Sequence, residues 1–245
     1  MLKNEKTCFR NIKQIKMKKI MFLVLCSLFL FPHFTTAQFI SGFGVKAGVT
    51  ASNFSHTFSN SLDLKTKFKT GLTASIFGEF INSKYFNLVV ETGYDQRGYV
   101  MVIDRTDEFG NPLGEANYGF RTDYIFTGIG GKFKYKSSAV TPYLLLLPRV
   151  DFYLGWKFSP PDDWPAGQEY EEPVLEQFKK TMFGVGIGAG VEFNRLLPYK
   201  VFIEANYNPG LINSFGNSFV KVKEYSFNFK AGINFIKEKQ KKSRK

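Results

Sequence analysis

Ser55 and His56 are adjacent, and Asp63 lies seven residues beyond His56. Serine, histidine and aspartate are the parts of a nucleophilic triad, in which the imidazole takes the hydroxyl proton and the carboxylate orients the imidazole. A triad needs side chains converging from separate positions. Adjacent residues do not supply that, so the pair is read as ordinary loop residues and the chain as non-enzymatic. A second cluster is acidic: Asp162, Asp163, Glu169, Glu171 and Glu172 in SPPDDWPAGQEYEEP. Carboxylate oxygens at such density suit Ca²⁺, and a solvated loop is the simpler alternative. No cofactor and no other metal site is expected. The third set is scattered. Lys46, Glu79, Glu91, Asp95, Arg97, Lys132, Lys134, Arg149, Asp151, Glu192, Glu204 and Lys230 are six bases and six acids, most of them alternating with apolar residues. Charges that share one face of extended chain can pair with one another, and pairing is what allows charges to be buried.

The element that shows how such charges are placed is Thr181–Phe193, TMFGVGIGAGVEF. Phe183, Val185, Ile187, Ala189, Val191 and Phe193 fall on one face of a strand. Met182, four alternate glycines and Glu192 fall on the other. The period is two, that of a strand. A soluble core built on the glycine face would be empty. An inverted sense, with the apolar face toward lipid and the small and charged face lining a narrow barrel, accounts for both faces. A glycine-rich edge strand of a soluble sheet is the alternative. GVGIGAG lacks the final glycine of a dinucleotide-binding G-x-G-x-x-G loop.

Seven further segments repeat the pattern: Gly44–Phe54, Thr70–Phe80, Phe86–Gly98, Asp123–Tyr135, Thr141–Gly155, Lys200–Tyr207 and Glu224–Phe235. Breaks after the second, fourth and sixth strands are short (Ile81–Tyr85, Lys136–Val140, Asn194–Tyr199). The others are long (Ser55–Lys69, Tyr99–Thr122, Trp156–Gln177, Asn208–Lys223). These features predict an all-β fold, an eight-stranded antiparallel up-and-down transmembrane β-barrel. Short turns would lie on the periplasmic side and long loops outside. An interior of this strand number is filled by side chains, so the twelve charges are expected to form a closed lumen network. Pro148 is expected to lose a ladder donor and to cause a bulge or an edge-like kink, and the run Leu144–Leu147 puts Leu145 and Leu147 in the lumen.

Residues 1–37 read as a signal peptide. Lys16, Lys18 and Lys19 precede an apolar run from Ile20 to Phe31, and Thr35, Thr36 and Ala37 give a small-residue cleavage pattern. Met17 is an alternative start. The barrel would then occupy 38–236, and 237–245 would be a basic periplasmic tail. Both cysteines, Cys8 and Cys26, fall in the leader, so the mature chain carries neither a disulfide nor a cysteine metal site. The net charge of +12 is misleading: +6 belongs to residues 1–38 and +5 to the tail, leaving +1 for the body. A nearly neutral body argues against nucleic acid as a partner.

The leader ending TTAQ, the first strand GFGVKAGVTASNF, the pattern of strands two and three and the closing FNFKAGINF resemble the PorT-like outer-membrane β-barrel family. The resemblance covers residues 40–236. It implies an eight-stranded barrel in the bacterial outer membrane but no single activity, since some relatives assist a protein secretion machine. Ordinary outer-membrane barrels end on an aromatic residue, whereas KEKQKKSRK follows Ile236 here. The expected role is a structural, interaction or secretion-assisting one. It would act through outer loops carrying Tyr118, Phe120, Trp156 and Trp164, and the expected partners are outer-membrane lipid and outer-membrane or secretion proteins. The barrel is expected to be monomeric. Alternatives are a narrow porin-like transport barrel and a lipid-modifying barrel enzyme.

Overall fold

The computed structural model describes residues 40–58, 64–81, 83–135, 139–161, 164, 179–193, 199–214 and 220–235. The leader at 1–37, the tail at 237–245, Asp63 and the acidic residues at 162–172 lie outside the described residues. Eight strands follow in order: β1 Ile40–Phe58, β2 Thr66–Phe80, β3 Phe86–Thr106, β4 Pro112–Lys134, β5 Val140–Ser159, β6 Thr181–Phe193, β7 Lys200–Pro209 and β8 Val220–Asn234. Each pairs antiparallel with the next, and β8 returns to β1, so the sheet is a closed barrel. The closing ladder runs from Gly44↔Asn234 to Phe58↔Val220. Closure gives every strand a partner on both sides, the condition for sheet in lipid.

The faces follow the inverted alternation. Leu72, Ile76, Ile129, Leu144 and Phe229 point outward and are each more than half exposed. Inward positions are small, polar or charged. Gly190 shows why: a Cβ there would run into the Tyr143 ring and lie 2.7 Å from the Ile203 carbonyl oxygen. Leu145 and Leu147 do face inward, where they join Phe77, Val89, Tyr143 and Phe202 in a buried apolar cluster.

Two expectations are corrected. Tyr99–Thr122 is not a long loop but the continuation of β3 and β4. Their register holds unbroken from Phe86↔Phe133 to Arg105↔Gly114, and the turn is confined to Asp107–Asn111. Asp104 and Arg105 are consecutive and Gly114 and Gly119 interrupt the return strand, so the pairing persists without an alternating polarity to report it. The bulge expected at Pro148 is also absent. The β5–β6 register passes through Pro148↔Val185 unshifted. On the other side the ladder steps from Gly128↔Arg149 to Gly131↔Leu146 in the same register. Proline's missing donor removes pairing locally without adding a residue; the β4–β5 shift falls instead between Asp123 and Tyr124.

Candidate functional site

The barrel interior is built from alternate residues of all eight strands, and its charges sort into three linked groups. At the short-turn end Lys132 of β4 reaches Glu79 of β2 at 2.6 Å and also bonds Glu192 of β6. Asn87 donates to Glu79 and accepts from Lys134 at 2.7 Å. In the middle Lys46 of β1 bonds Glu204 of β7 at 2.6 Å and Glu91 of β3 at 2.8 Å. Lys230 reaches Glu91 at 3.3 Å, and Ser75 and the Tyr143 hydroxyl complete the carboxylates. Toward the long-loop end Asp95 accepts from Arg97 at 3.0 Å and Arg149 at 3.2 Å, and Asp151 binds the same two guanidinium groups at 3.0 and 2.7 Å.

These pairs cross the lumen. β4 and β8 lie opposite in the ring, and the Tyr124 hydroxyl of β4 donates to Glu224 of β8 at 2.7 Å. Rings separate the groups: Arg149 sits 4.0 Å from the centroid of Phe126, with Lys230 at 5.3 Å from the same ring, and Lys132 lies 4.1 Å from Tyr143. Cation–ring contact is worth more where water is excluded. The lumen holds an internal cavity bounded by Lys46, Phe77, Glu79, Lys132, Phe202 and Glu204. Another is bounded by Arg97, Arg149, Asp151, Asn208, Ser214 and Glu224. Each has a volume of about 10 Å³, room for a single water at most.

Eleven of the twelve charges assigned to the lumen from sequence are buried there. Lys134 is only half-buried, at the short-turn rim. Glu224 is a thirteenth member that the sequence reading did not include. It is 2 % exposed and 3.8 Å from Arg97. Its parity with Ser226, Asn228 and Lys230 was the available signal. The neutral inward set Thr50, Asn206 and Asn228, which bonds Asp95 and Glu204, was equally readable by parity.

Ser55 and His56 are not in a loop, because β1 runs on to Phe58. They occupy successive positions, opposite Lys223 and Val222 of β8, and so project to opposite faces of the strand. The His56 ring lies 5.0 Å from Tyr99. That contact belongs to a second assembly beyond the lumen. Phe54 packs on Tyr99 at 4.8 Å, and Tyr99 stacks on Phe120 at 5.0 Å. Phe120 meets Phe158 at 5.4 Å and Trp156 at 6.5 Å, and Phe158 meets Trp164 at 5.6 Å. The aromatic residues expected in separate loops are thus one ladder across β1, β3, β4 and β5. The hairpin above it ends in Phe109, 88 % exposed, and Leu113, 61 % exposed.

The model of one family, the outer membrane protein beta-barrel domain, matches residues 37–216. No curated protein matches the sequence. Among solved structures, the attachment invasion locus protein Ail of Yersinia pestis is 15% identical. It aligns over 79% of this chain and 98% of its own with a TM-score of 0.40. Neisserial surface protein A is 18% identical over 80% and 99%, TM-score 0.40. The outer membrane protein OprG of Pseudomonas aeruginosa is 8% identical over 81% and 97%, TM-score 0.42.

Proposed function

This chain belongs to the outer membrane protein beta-barrel domain family, and we propose that it is a non-enzymatic, monomeric barrel that works by presenting its extracellular part to another protein. The reading rests on one observation, the set of ion pairs that cross the lumen between β1 and β7, β2 and β4, and β4 and β6. A lumen so occupied is a rigid support. The working surface is then the β3–β4 hairpin, with its aromatic ladder below and Phe109 and Leu113 at the tip. Exposed aromatic and aliphatic side chains on a rigid support are the composition of a protein contact. The PorT-like character of the first and last strands favours a secretion-assisting role as the form this contact takes.

The test has two arms. Purified protein in planar bilayers should show no stable conductance, and reproducible single-channel steps would replace this reading with transport. A photoreactive residue at position 109 or 113 should capture a protein in native outer membrane, whereas one at position 85, at the periplasmic end, should not. Equal capture from both ends would remove the hairpin from the proposal.

A further inference from the structure

The long-loop end of the lumen is roofed by the chain that follows β7. The Gly210 amide donates to the Glu224 carbonyl at 2.6 Å, and the Ser214 amide donates to the Val222 carbonyl at 2.8 Å. The Asn213 side chain accepts from the Val222 amide at 2.7 Å, and the Ser214 carbonyl accepts from the Lys179 amide at 2.9 Å. Gly210 also bridges to Gly184 of β6. Ile212 packs against the buried pair Tyr124 and Met182, and Ser214 is 1 % exposed. Residues 210–214 are thus tied to β6 and β8 and turned toward the lumen.

Beneath this roof lies the cavity bounded by Arg97, Arg149, Asp151, Asn208, Ser214 and Glu224. Two oxygens of its lining residues are buried without a hydrogen-bond partner among the described residues. Glu224 accepts from the Tyr124 hydroxyl on Oε1, but Oε2 accepts nothing, and Ser214 Oγ is likewise unpartnered. A donor stands close by. The Arg97 guanidinium gives Nε and Nη2 to Asp95 and meets Asp151 with Nη1 at 3.0 Å. Nη1 carries a second hydrogen, and it stands 3.8 Å from Glu224 Oε2, too far for a direct hydrogen bond. A polar gap of this size between buried groups is where a bridging water belongs, because bare buried acceptors are costly.

We infer that this cavity is the binding site of one ordered water, which joins the roof to the ion pairs below it. The volume of about 10 Å³ suits a single water. The water accepts from Arg97 Nη1 and donates to Glu224 Oε2 and Ser214 Oγ, about the three partners usual for a buried water. Cavities that stay dry are apolar, and this one has charged walls. Two guanidinium groups on the wall oppose a metal cation, and two carboxylates oppose an anion, so a neutral ligand that both donates and accepts is the match. Ser214 belongs to the roof, whereas Arg97 and Glu224 belong to the strands of the barrel wall. The water therefore fastens residues 210–214 to the lumen.

The full-length protein is folded in micelles, and magnetisation transfer from water to its amides is measured by NMR. The amides of Gly184 and Gly210, which line the cavity, should show cross-peaks with the sign of a water that stays bound for longer than the protein takes to tumble. Ser214→Ala should abolish them and speed hydrogen exchange at the amides of residues 210 and 214 by about tenfold. A dry cavity gives the opposite sign, because the hydroxyl is then an unpaired buried group and its removal leaves exchange unchanged or slower. If Ser214→Ala does not give a heat-modifiable folded band, Gly184→Ala is read instead. A Cβ at 184 makes only ordinary contacts, 3.6 Å from the Pro209 carbonyl oxygen and 3.7 Å from Arg149. Its methyl group should displace the water and speed the same exchange, whereas in a dry cavity it fills space and slows it. Absence of the cross-peaks in wild type, their survival in the variant, or slowed exchange overturns the inference. Equal cross-peaks at Gly48 and Gly188, which line neither lumen cavity, also overturn it, because bulk water would then fill the barrel.

Discussion

The lumen and the extracellular extension share strands but are held together by different forces. Outside the lumen wall lies lipid, which is as apolar as leucine, so burying apolar side chains inward gains little there. Cohesion comes from polar groups that pair across the ring, such as Lys46 with Glu204 and Tyr124 with Glu224. Beyond the lumen the β3–β4 hairpin carries its charges Asp104 and Glu115 in the open while Val102, Ala116 and Phe120 are buried. There the rings of Tyr99, Phe120, Trp156 and Phe158 gather on one face, and hydrophobic burial does the work that ion pairs do below. The two halves should therefore fail differently when a single residue is removed.

The largest effect is expected at Asp95, which is fully buried and accepts from Arg97, Arg149 and Thr50. Asp95→Leu leaves two guanidinium groups short of an anion in the lumen and should lower folding stability in micelles by about 3–5 kcal/mol. Urea unfolding read by heat-modifiability measures this. A loss below about 1 kcal/mol, the size of a solvated pair, would mean that water enters the lumen and the contrast between the halves collapses.

The next effect separates the two faces of β6. Gly188 has the Asn206 side chain against it, and a Cβ there would also lie 3.0 Å from the Ala205 carbonyl oxygen. Gly188→Leu should destabilise by about 1–3 kcal/mol. Ile187→Leu should be nearly silent, since lipid accepts either side chain. A spin label at position 187 should be reached by lipid-dissolved oxygen and shielded from a water-soluble quencher. Shielding from both would show that this face packs against protein.

How much of this was legible follows from where alternation operates. Inside the bilayer each strand has one lipid face and one lumen face, so parity places Glu91, Glu204 and Lys230 inward, and the structure has all three buried. Parity fades at the ends. Lys134 shares the inward parity of Lys132 but sits where the strand leaves the lumen, so its stem turns partly to water. Glu224 opens the last segment, where a single polar residue is hard to tell from the end of a loop. Tyr99–Thr122 was illegible for a deeper reason. Glycines at 110, 114 and 119 and charges on both faces are the marks of a loop, and only the pairing with the other strand shows a sheet. Ring contacts between β1, β3, β4 and β5 likewise arise from closure, which no single segment encodes.

Phe120 tests the extension alone. It touches Tyr99, Trp156 and Phe158, and aromatic pairs contribute about 0.5–1.5 kcal/mol each. Phe120→Ala should loosen the hairpin, with proteolysis appearing within residues 99–122, while the lumen amides and the urea midpoint of the barrel change little. A matching fall in the barrel midpoint would show that the two parts unfold as one unit.

The smallest effect is at the hairpin tip and depends on pH. Asp107 accepts from the Asn111 side chain at 2.8 Å, from the Asn111 amide at 2.8 Å and from the Phe109 amide at 2.9 Å. Gly110 supplies the left-handed turn at φ +84°. The hydrogen bonds from Asn111 come first in holding the Asp107 carboxyl below its ordinary range, and those from the neighbouring amides add to them. A depressed folded value means the stabilisation is fully present above the unfolded carboxylate value of about 4 and is lost as pH falls through the lower folded value. Hydrogen exchange should therefore find the Phe109 and Asn111 amides protected at about pH 5 and open in stronger acid. Asp107→Ala should leave them open at both. Because these hydrogen bonds lie within the turn itself, the opening should stop there, with the Tyr99↔Phe120 ladder still protected. If Asp107→Ala leaves both amides protected, the ring ladder and the strand pairing hold the tip by themselves. The extension would then be as independent of its polar groups as the lumen is dependent on them.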